Sequence, residues 1–337
     1  MQRKLLWIVL LSSLILIPGE NLLTAQQSKL ILRCADVHAL GYPTIEGVLY
    51  MARMVKEKTN GRIEIVVYPE GSLGSEASVV EMLRLGALDM GRVSLSQVAE
   101  VNPELGVLIL PYIYNDEAHK WRILEGSIGD DLLKSLAKYD LIGLCFQEAG
   151  HRSFYNSKRP IYRPEDLRGL KIRVQPNQIM FRLVEYFGAS PVPIDYNEVY
   201  PALAAGVIDG AENNIPSYLT SGHYKVARYY SFDKHTSIPE ILLISKKNWL
   251  KLALSDREIL MKAAKESVPY QRLLWSEFEV KSREELEKSG CKFNEVDEAA
   301  FRVGLENFYQ QNAREFESVI NKIKKLNSGL DKNPRTY

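Results

Sequence analysis

The chain has 337 residues, 46% of them hydrophobic, 43 Lys and Arg against 42 Asp and Glu, and a formal net charge of +1. That charge balance offers no broad attraction to nucleic acid or to anionic membranes, and the hydrophobic content is that of a globular protein with a sizeable core. Three cysteines, Cys34, Cys145 and Cys291, stand far apart without a CxxC pair, so a disulfide framework is not what holds the fold together.

"MQRK" followed by the 13 apolar residues "LLWIVLLSSLILI" and a polar run to Ala25 has the layout of a secretory signal, with cleavage expected near Ala25. A permanent membrane anchor is the weaker alternative, because spanning the hydrocarbon takes roughly 20 apolar residues. Removing 25 residues from 337 leaves about 312, enough for one large domain or two lobes. "KLILRCADV" (29–37) and "RIEIVVYP" (62–69) are β-rich runs, and Ile45, Val48, Leu49, Ala52 and Val55 between them mark one helical face closed by "NG" at Asn60 and Gly61. "SEASVVEMLRLGALDM" predicts a helix and a short strand, "LIGLCFQEAG" (141–150) another strand, and "KIRV" the start of a new βα alternation. "NQIMFRLVEYFG" and "NEVYPALAAG" predict helices stopped at Gly188 and Gly206, and "EILLISK" (240–246) a late strand returning to the first sheet. "SDRE" at Ser255–Glu258 predicts a capping-box start to a helix over 255–289, interrupted only by Pro269 and about 50 Å long. The alternation predicts an α/β protein with parallel strands, and no linker separates autonomous domains. Two lobes sharing crossing strands are therefore expected, the first near 29–151 plus 238–290, the second near 152–237 plus 291–337.

There is no GxGxxG, GxxxxGK[ST], HExxH or GxSxG, and the five histidines lack zinc-ligand spacing, so neither a cofactor nor a metal is expected. What remains is a set of donors at strand ends. Arg152 lies in "EAGHRSFYNSKRPI" and Arg173 in "RGLKIRV", on the strand face opposite Leu170, Ile172 and Val174. "GVIDGAENNIPSY" packs Asp209, Glu212, Asn213 and Asn214 into an expected short turn. In open α/β sheets ligands bind beyond the carboxyl ends of strands, and a guanidinium fork suits a carboxylate. Each arginine alone is more readily read as a surface residue or as half of an internal ion pair.

Together, "EKTNGRIEIVVYPEGSLGSE", "LPYIYNDEAHKW", "NSKRPIYRPEDLRGLKIRV" and "GASPVPIDYNEVYPALAAGVIDGAENN" resemble the solute-binding proteins of TRAP (tripartite ATP-independent periplasmic) transporters, over about residues 30–300. The resemblance implies a two-lobed α/β clamp with a long helix spanning both lobes, acting as a monomer in the periplasm and delivering a small carboxylate to membrane permease subunits. It implies that Arg173 salt-bridges the substrate carboxylate, with Arg152, Asn213, Tyr196 and, more loosely, His235 near the cleft. "ADVHALGYPT", "DMGRVS" and "DGAENNIPSY" resemble the branch that binds hexuronates such as glucuronate and galacturonate, which makes His38, Glu76 and Arg92 candidates for the sugar hydroxyls. Ile215 replaces an aromatic expected there, so C4-dicarboxylates or other organic acids remain open as ligands. An exported sugar-acid enzyme, with His235 or Tyr196 as acid–base groups, and a ligand-sensing module are the readings from other classes.

Overall fold

The computed structural model describes residues 29–327, so the expected leader at 1–25 lies outside the described residues. The chain opens with β1 (Leu30–Ala35), α1 (Pro43–Lys58) and β2 (Ile63–Tyr68), then α2 (Glu76–Leu85), β3 (Met90–Ser94), α3 (Leu95–Ala99), α4 (Glu117–Leu124), α5 (Ser127–Ser135) and β4 (Leu141–Gln147). It then builds a second sheet from β5 (Arg152–Asn156), β6 (Lys171–Val174), α6 (Gln178–Tyr186), β7 (Ser190–Pro193), α7 (Val199–Ala204), β8 (Gly210–Asn213), α8 (Ile215–Thr220) and β9 (Tyr229–Thr236). It returns through β10 (Glu240–Ser245) and α9 (Lys246–Trp249), crosses again in α10 (Leu254–Lys288), and ends with β11 (Lys292–Glu295), α11 (Glu298–Arg302), α12 (Leu305–Asn312) and α13 (Glu317–Asn327). The first sheet has the order β2-β1-β3-β10-β4 and the second β11-β9-β5-β8-β6-β7.

Local signals explain most boundaries. α1 buries Ile45, Val48, Met51 and Val55, the stripe spaced three and four apart, and stops before Asn60 and Gly61, both at positive φ. The Ser75 side chain accepts from the Ser78 N–H to start α2. The expected capping box at Ser255 does not form. α10 begins at Leu254 with extended Ala253 before it, Ser255 already lies in the first turn, and Asp256 is committed to Arg62 (2.7 Å). The helix runs for 35 residues, about 52 Å. It buries Leu260, Ala263, Ala264 and Val268 in the first core and Leu286 in the second, so it spans both lobes.

The sheets are mixed rather than all parallel. β10 is antiparallel to β3 and β4, and β5 is antiparallel to β8 and β9. The reason is the crossings: β5 follows β4, and β10 follows β9, after only a few residues, without the helix that returns a chain to the far edge of a sheet. As a result the carboxyl ends of β1, β3, β4, β6, β8 and β9 and the amino ends of β5 and β10 all face the space between the lobes. The tail divides: β11 joins the second sheet, whereas α13 packs on α4 of the first lobe, with His119 Nε2 3.2 Å from the Ile323 carbonyl.

All three crossings meet at Glu148. Its Oε1 accepts from buried Lys120 Nζ (2.5 Å) and from the Gly150 N–H (2.7 Å), and its Oε2 from Trp121 Nε1 (2.9 Å). Lys120 also donates to Ser237 Oγ (3.1 Å), and Ser237 donates to the Gly150 carbonyl (2.8 Å), tying the two strand crossings together. From α10, Gln271 accepts from the Glu148 N–H (2.8 Å) and donates to its carbonyl (2.9 Å).

Candidate ligand-binding cleft

On β6, Ile172 and Val174 turn into the core, which by the period of two sends Arg173 to the opposite face. Arg173 is only 2% exposed. Its Nε donates to the Ile194 carbonyl (2.7 Å), and among the described residues no carboxylate lies within ion-pair distance of it. Burial lowers its proton affinity, Glu212 works against that, and the neighbouring Arg152 charge adds to it. A guanidinium does not deprotonate in a protein, so β6 holds a desolvated positive charge. It lines a cavity of about 240 Å³ together with Val37, Glu76 and Gln97 of the first lobe and Asp195 and Tyr196 of the second.

Arg152 is different. Its Nε and Nη2 fork onto Glu212 Oε2 (2.5 Å) and Oε1 (2.9 Å), and Nη1 donates to Asn213 Oδ1 (2.8 Å). Its charge is matched inside the chain, so it is not a second open anion receptor. Because a guanidinium only donates, the Asn213 amide oxygen must face it, which leaves the Asn213 NH₂ free to donate elsewhere. His235 is fully buried, stacked on Phe154 (4.5 Å between ring centres), with Nδ1 2.6 Å from Asp233 Oδ2 and Nε2 3.4 Å from Glu212 Oε2. Burial opposes its protonation, but Asp233 and Glu212 outweigh that and raise it to about 9. In turn, burial would raise the Glu212 carboxyl, yet Arg152 and His235 hold it down at about 2. His235 therefore stands behind Glu212 and does not reach the cavity wall.

On the first lobe, Arg92 is 1% exposed and gathers three carboxylates. Asp36, just past β1, takes Nε (2.7 Å) and Nη2; Glu240, opening β10, takes Nη1 at 2.6 Å; Glu76, opening α2, takes the same nitrogen at 3.3 Å. Arg92 is thus neither a solvated charge nor a free donor to a sugar; it gathers Asp36, Glu240 and Glu76, of which Glu76 reaches the cavity. Glu76 Oε1 also accepts from the Ser94 N–H (2.9 Å), and burial with the Glu240 charge raises its carboxyl to about 7. The His38 ring stacks on Tyr42 (3.8 Å) and meets Tyr196 edge-on (5.2 Å). Burial, then the Arg92 charge, keeps it well below the usual histidine range. Tyr42 crosses between the lobes, its hydroxyl 2.8 Å from Ser217 Oγ at the start of α8.

Arg173, Tyr196 and Glu76 therefore share the cavity wall, His38 touches Tyr196, and Arg92, Arg152 and Asn213 form the layer behind. Residues 34–315 match the family described as bacterial extracellular solute-binding protein, family 7. The chain belongs to that family. Among solved structures, a TRAP periplasmic solute-binding protein from Xanthobacter autotrophicus with bound β-D-galacturonate is 40% identical, covering 87% of this chain and 99% of that one, with a TM-score of 0.85. One from a Bradyrhizobium species in complex with galacturonate is 38% identical over 87% and 99%, TM-score 0.85. A third, from Chromohalobacter salexigens with bound D-glucuronate, is 37% identical over 88% and 99%, TM-score 0.85.

Within this family 7 chain, the acids Asp36, Glu212 and Glu240 and the aromatic Tyr42 are parts of the cleft that sequence reasoning did not assign. "DGAENN" forms a strand, β8, across Gly210–Asn213 rather than the expected turn, and this lifts Glu212 against Arg152. Asp209 Oδ2 accepts from the Lys171 N–H at the start of β6 (2.9 Å), and Asn214 Oδ1 accepts from the Ser217 N–H to cap α8 (2.8 Å). Ile215 is buried in the second-lobe core with Tyr155 and Tyr218, so the residue after "ENN" is core packing and not cleft wall.

Proposed function

We propose that this chain is the extracytoplasmic solute-binding subunit of a TRAP transporter, capturing a hexuronate such as galacturonate or glucuronate and presenting it to a membrane permease. The observation that carries the reading is Arg173: a buried guanidinium without an internal counter-ion, aimed into a cavity walled by both lobes. A ligand carboxylate supplies the missing charge, and the two-pronged fork orients it. Glu76 offers its free Oε2 to a ligand hydroxyl, and Tyr196 offers a ring face. Ligand contacts reaching both lobes favour the closed arrangement, in which Tyr42 meets Ser217, and the permease responds to that arrangement. The hexuronates held by the three similar proteins support the ligand class, and the buried position of Ile215 removes the reason to prefer a linear acid.

Calorimetry with galacturonate, glucuronate, succinate and malate tests this directly. Hexuronate binding with the sugar recovered unchanged is the expected result. Binding of a dicarboxylate alone refutes the ligand, and conversion to product refutes the role.

A further inference from the structure

Resting on the hexuronate reading, we propose that Glu76 enters the closed cleft as a neutral carboxylic acid, so that capture of the anionic solute takes up a proton at this residue. Three carboxylates converge on one guanidinium, Arg92, leaving this first-lobe cluster with an excess of two negative charges if all are ionised. Asp36 holds the fork, Glu240 has the short contact to Nη1, and Glu76, at 3.3 Å on the same nitrogen, is the most weakly held. Of the three, Glu76 alone lines the cavity. Across that cavity the second lobe presents Arg173, Tyr196 and two more acids, Asp195 and Glu198, while His38 stands at the edge of Tyr196. Among the described residues Arg173 is the one cation on the wall, and a bound carboxylate neutralises it, which leaves the acids facing one another.

Three features favour a charged Glu76: the Arg92 guanidinium, the Ser94 N–H and its place at the start of α2. Burial and the fields of Glu240 and Asp36 oppose them and prevail, holding the carboxyl near 7. Oε1 accepts from Arg92 and Ser94, so the proton belongs on Oε2, where the acid donates to a ligand oxygen; the ionised form only accepts. The open cleft hydrates Glu76 and returns it to the ordinary carboxylate range, and closure then draws a proton from solvent. His38 contributes with the opposite sign, because its burial expels a proton below its ordinary pKa, so the test is a difference between variants.

Titration calorimetry of galacturonate or glucuronate at pH 7, in buffers of different ionisation enthalpy, counts the protons exchanged. Wild type is expected to take up about half a proton more per ligand than Glu76→Gln, and the ratio of their Kd values (wild type over variant) to rise about tenfold from pH 6 to pH 8. Glu240→Gln gives an independent arm: with one acid fewer on Arg92, uptake falls below wild type. Equal proton counts in wild type and Glu76→Gln, or undiminished uptake in Glu240→Gln, overturn the proposal while measurable binding leaves the ligand reading standing. Absence of any heat with either hexuronate overturns the ligand reading, and this proposal with it.

Discussion

Replacing Arg173 by methionine keeps most of its volume on β6 and removes the charge that the cavity is built around. Removing one member of a buried charge pair costs about 2–5 kcal/mol of binding, which at about 1.4 kcal/mol per decade is roughly 30- to 3,000-fold in Kd. The upper half of that range is expected here, because Arg173 is 2% exposed and its Nε is spent on the Ile194 carbonyl, which anchors the side chain and leaves both Nη groups for the ligand. No internal acid is orphaned by the change, since Glu212 keeps Arg152, and the ligand-free variant should melt no lower than wild type. At a ligand concentration one hundred times the wild-type Kd, binding stabilises wild type by about 2.7 kcal/mol. A thousandfold weaker variant then meets ligand at only a tenth of its own Kd and gains less than about 0.1 kcal/mol, so the thermal shift all but vanishes. Thermal melts with and without hexuronate, checked by calorimetry, read both quantities. Near-wild-type affinity in Arg173→Met refutes the carboxylate assignment, and a large drop in the ligand-free melting temperature refutes the claim that this charge lacks an internal partner.

Three further outcomes follow from the surrounding network. Tyr42→Phe deletes the hydroxyl that reaches Ser217 across the cleft; Kd should rise about 2- to 10-fold, the worth of one hydrogen bond, and an unchanged Kd by calorimetry counts against Tyr42 as a closing contact. Lys120→Ala leaves Glu148 buried without its cation, which should destabilise the fold by about 3–5 kcal/mol in urea melts. His235 is raised to about 9, so its contribution is complete below the ordinary histidine pKa and is lost as pH climbs through 9; Glu212, held at about 2, contributes above the ordinary carboxylate range and loses that as pH falls through 2. Urea midpoints should therefore peak between about pH 5 and 6, and His235→Gln should flatten the alkaline limb; an unchanged alkaline slope refutes the pairing of His235 with Asp233 and Glu212.

Much of this was legible because it is local. The alternation around "KIRV" placed Arg173 on the face away from the core, Gly188 and Gly206 stopped α6 and α7 as left-handed residues do, and the apolar run at 240–246 did return to the first sheet. What stayed hidden was the acid–base pairing. Arg152 meets Glu212 sixty residues later and Arg92 meets Glu240 still further on, and strand-end acids carry no local mark of their partner. The mixed strand directions were hidden for the same reason: they follow from two crossings a few residues long, which composition does not distinguish from ordinary loops. "SDRE" misled because a capping pattern has meaning only where the backbone before it is extended, and that residue is Ala253.

The placement of β10 also dictates when this molecule can fold. It is the seam of the first sheet, joining Ser94 on one side through Glu240 and Cys145 on the other through Leu242. Until residue 245 is available, β3 and β4 have nothing between them, and the early half of the chain cannot seal its own core. Distant pairing of this kind is slow to nucleate. A nascent chain therefore stays loose until synthesis is well past its midpoint.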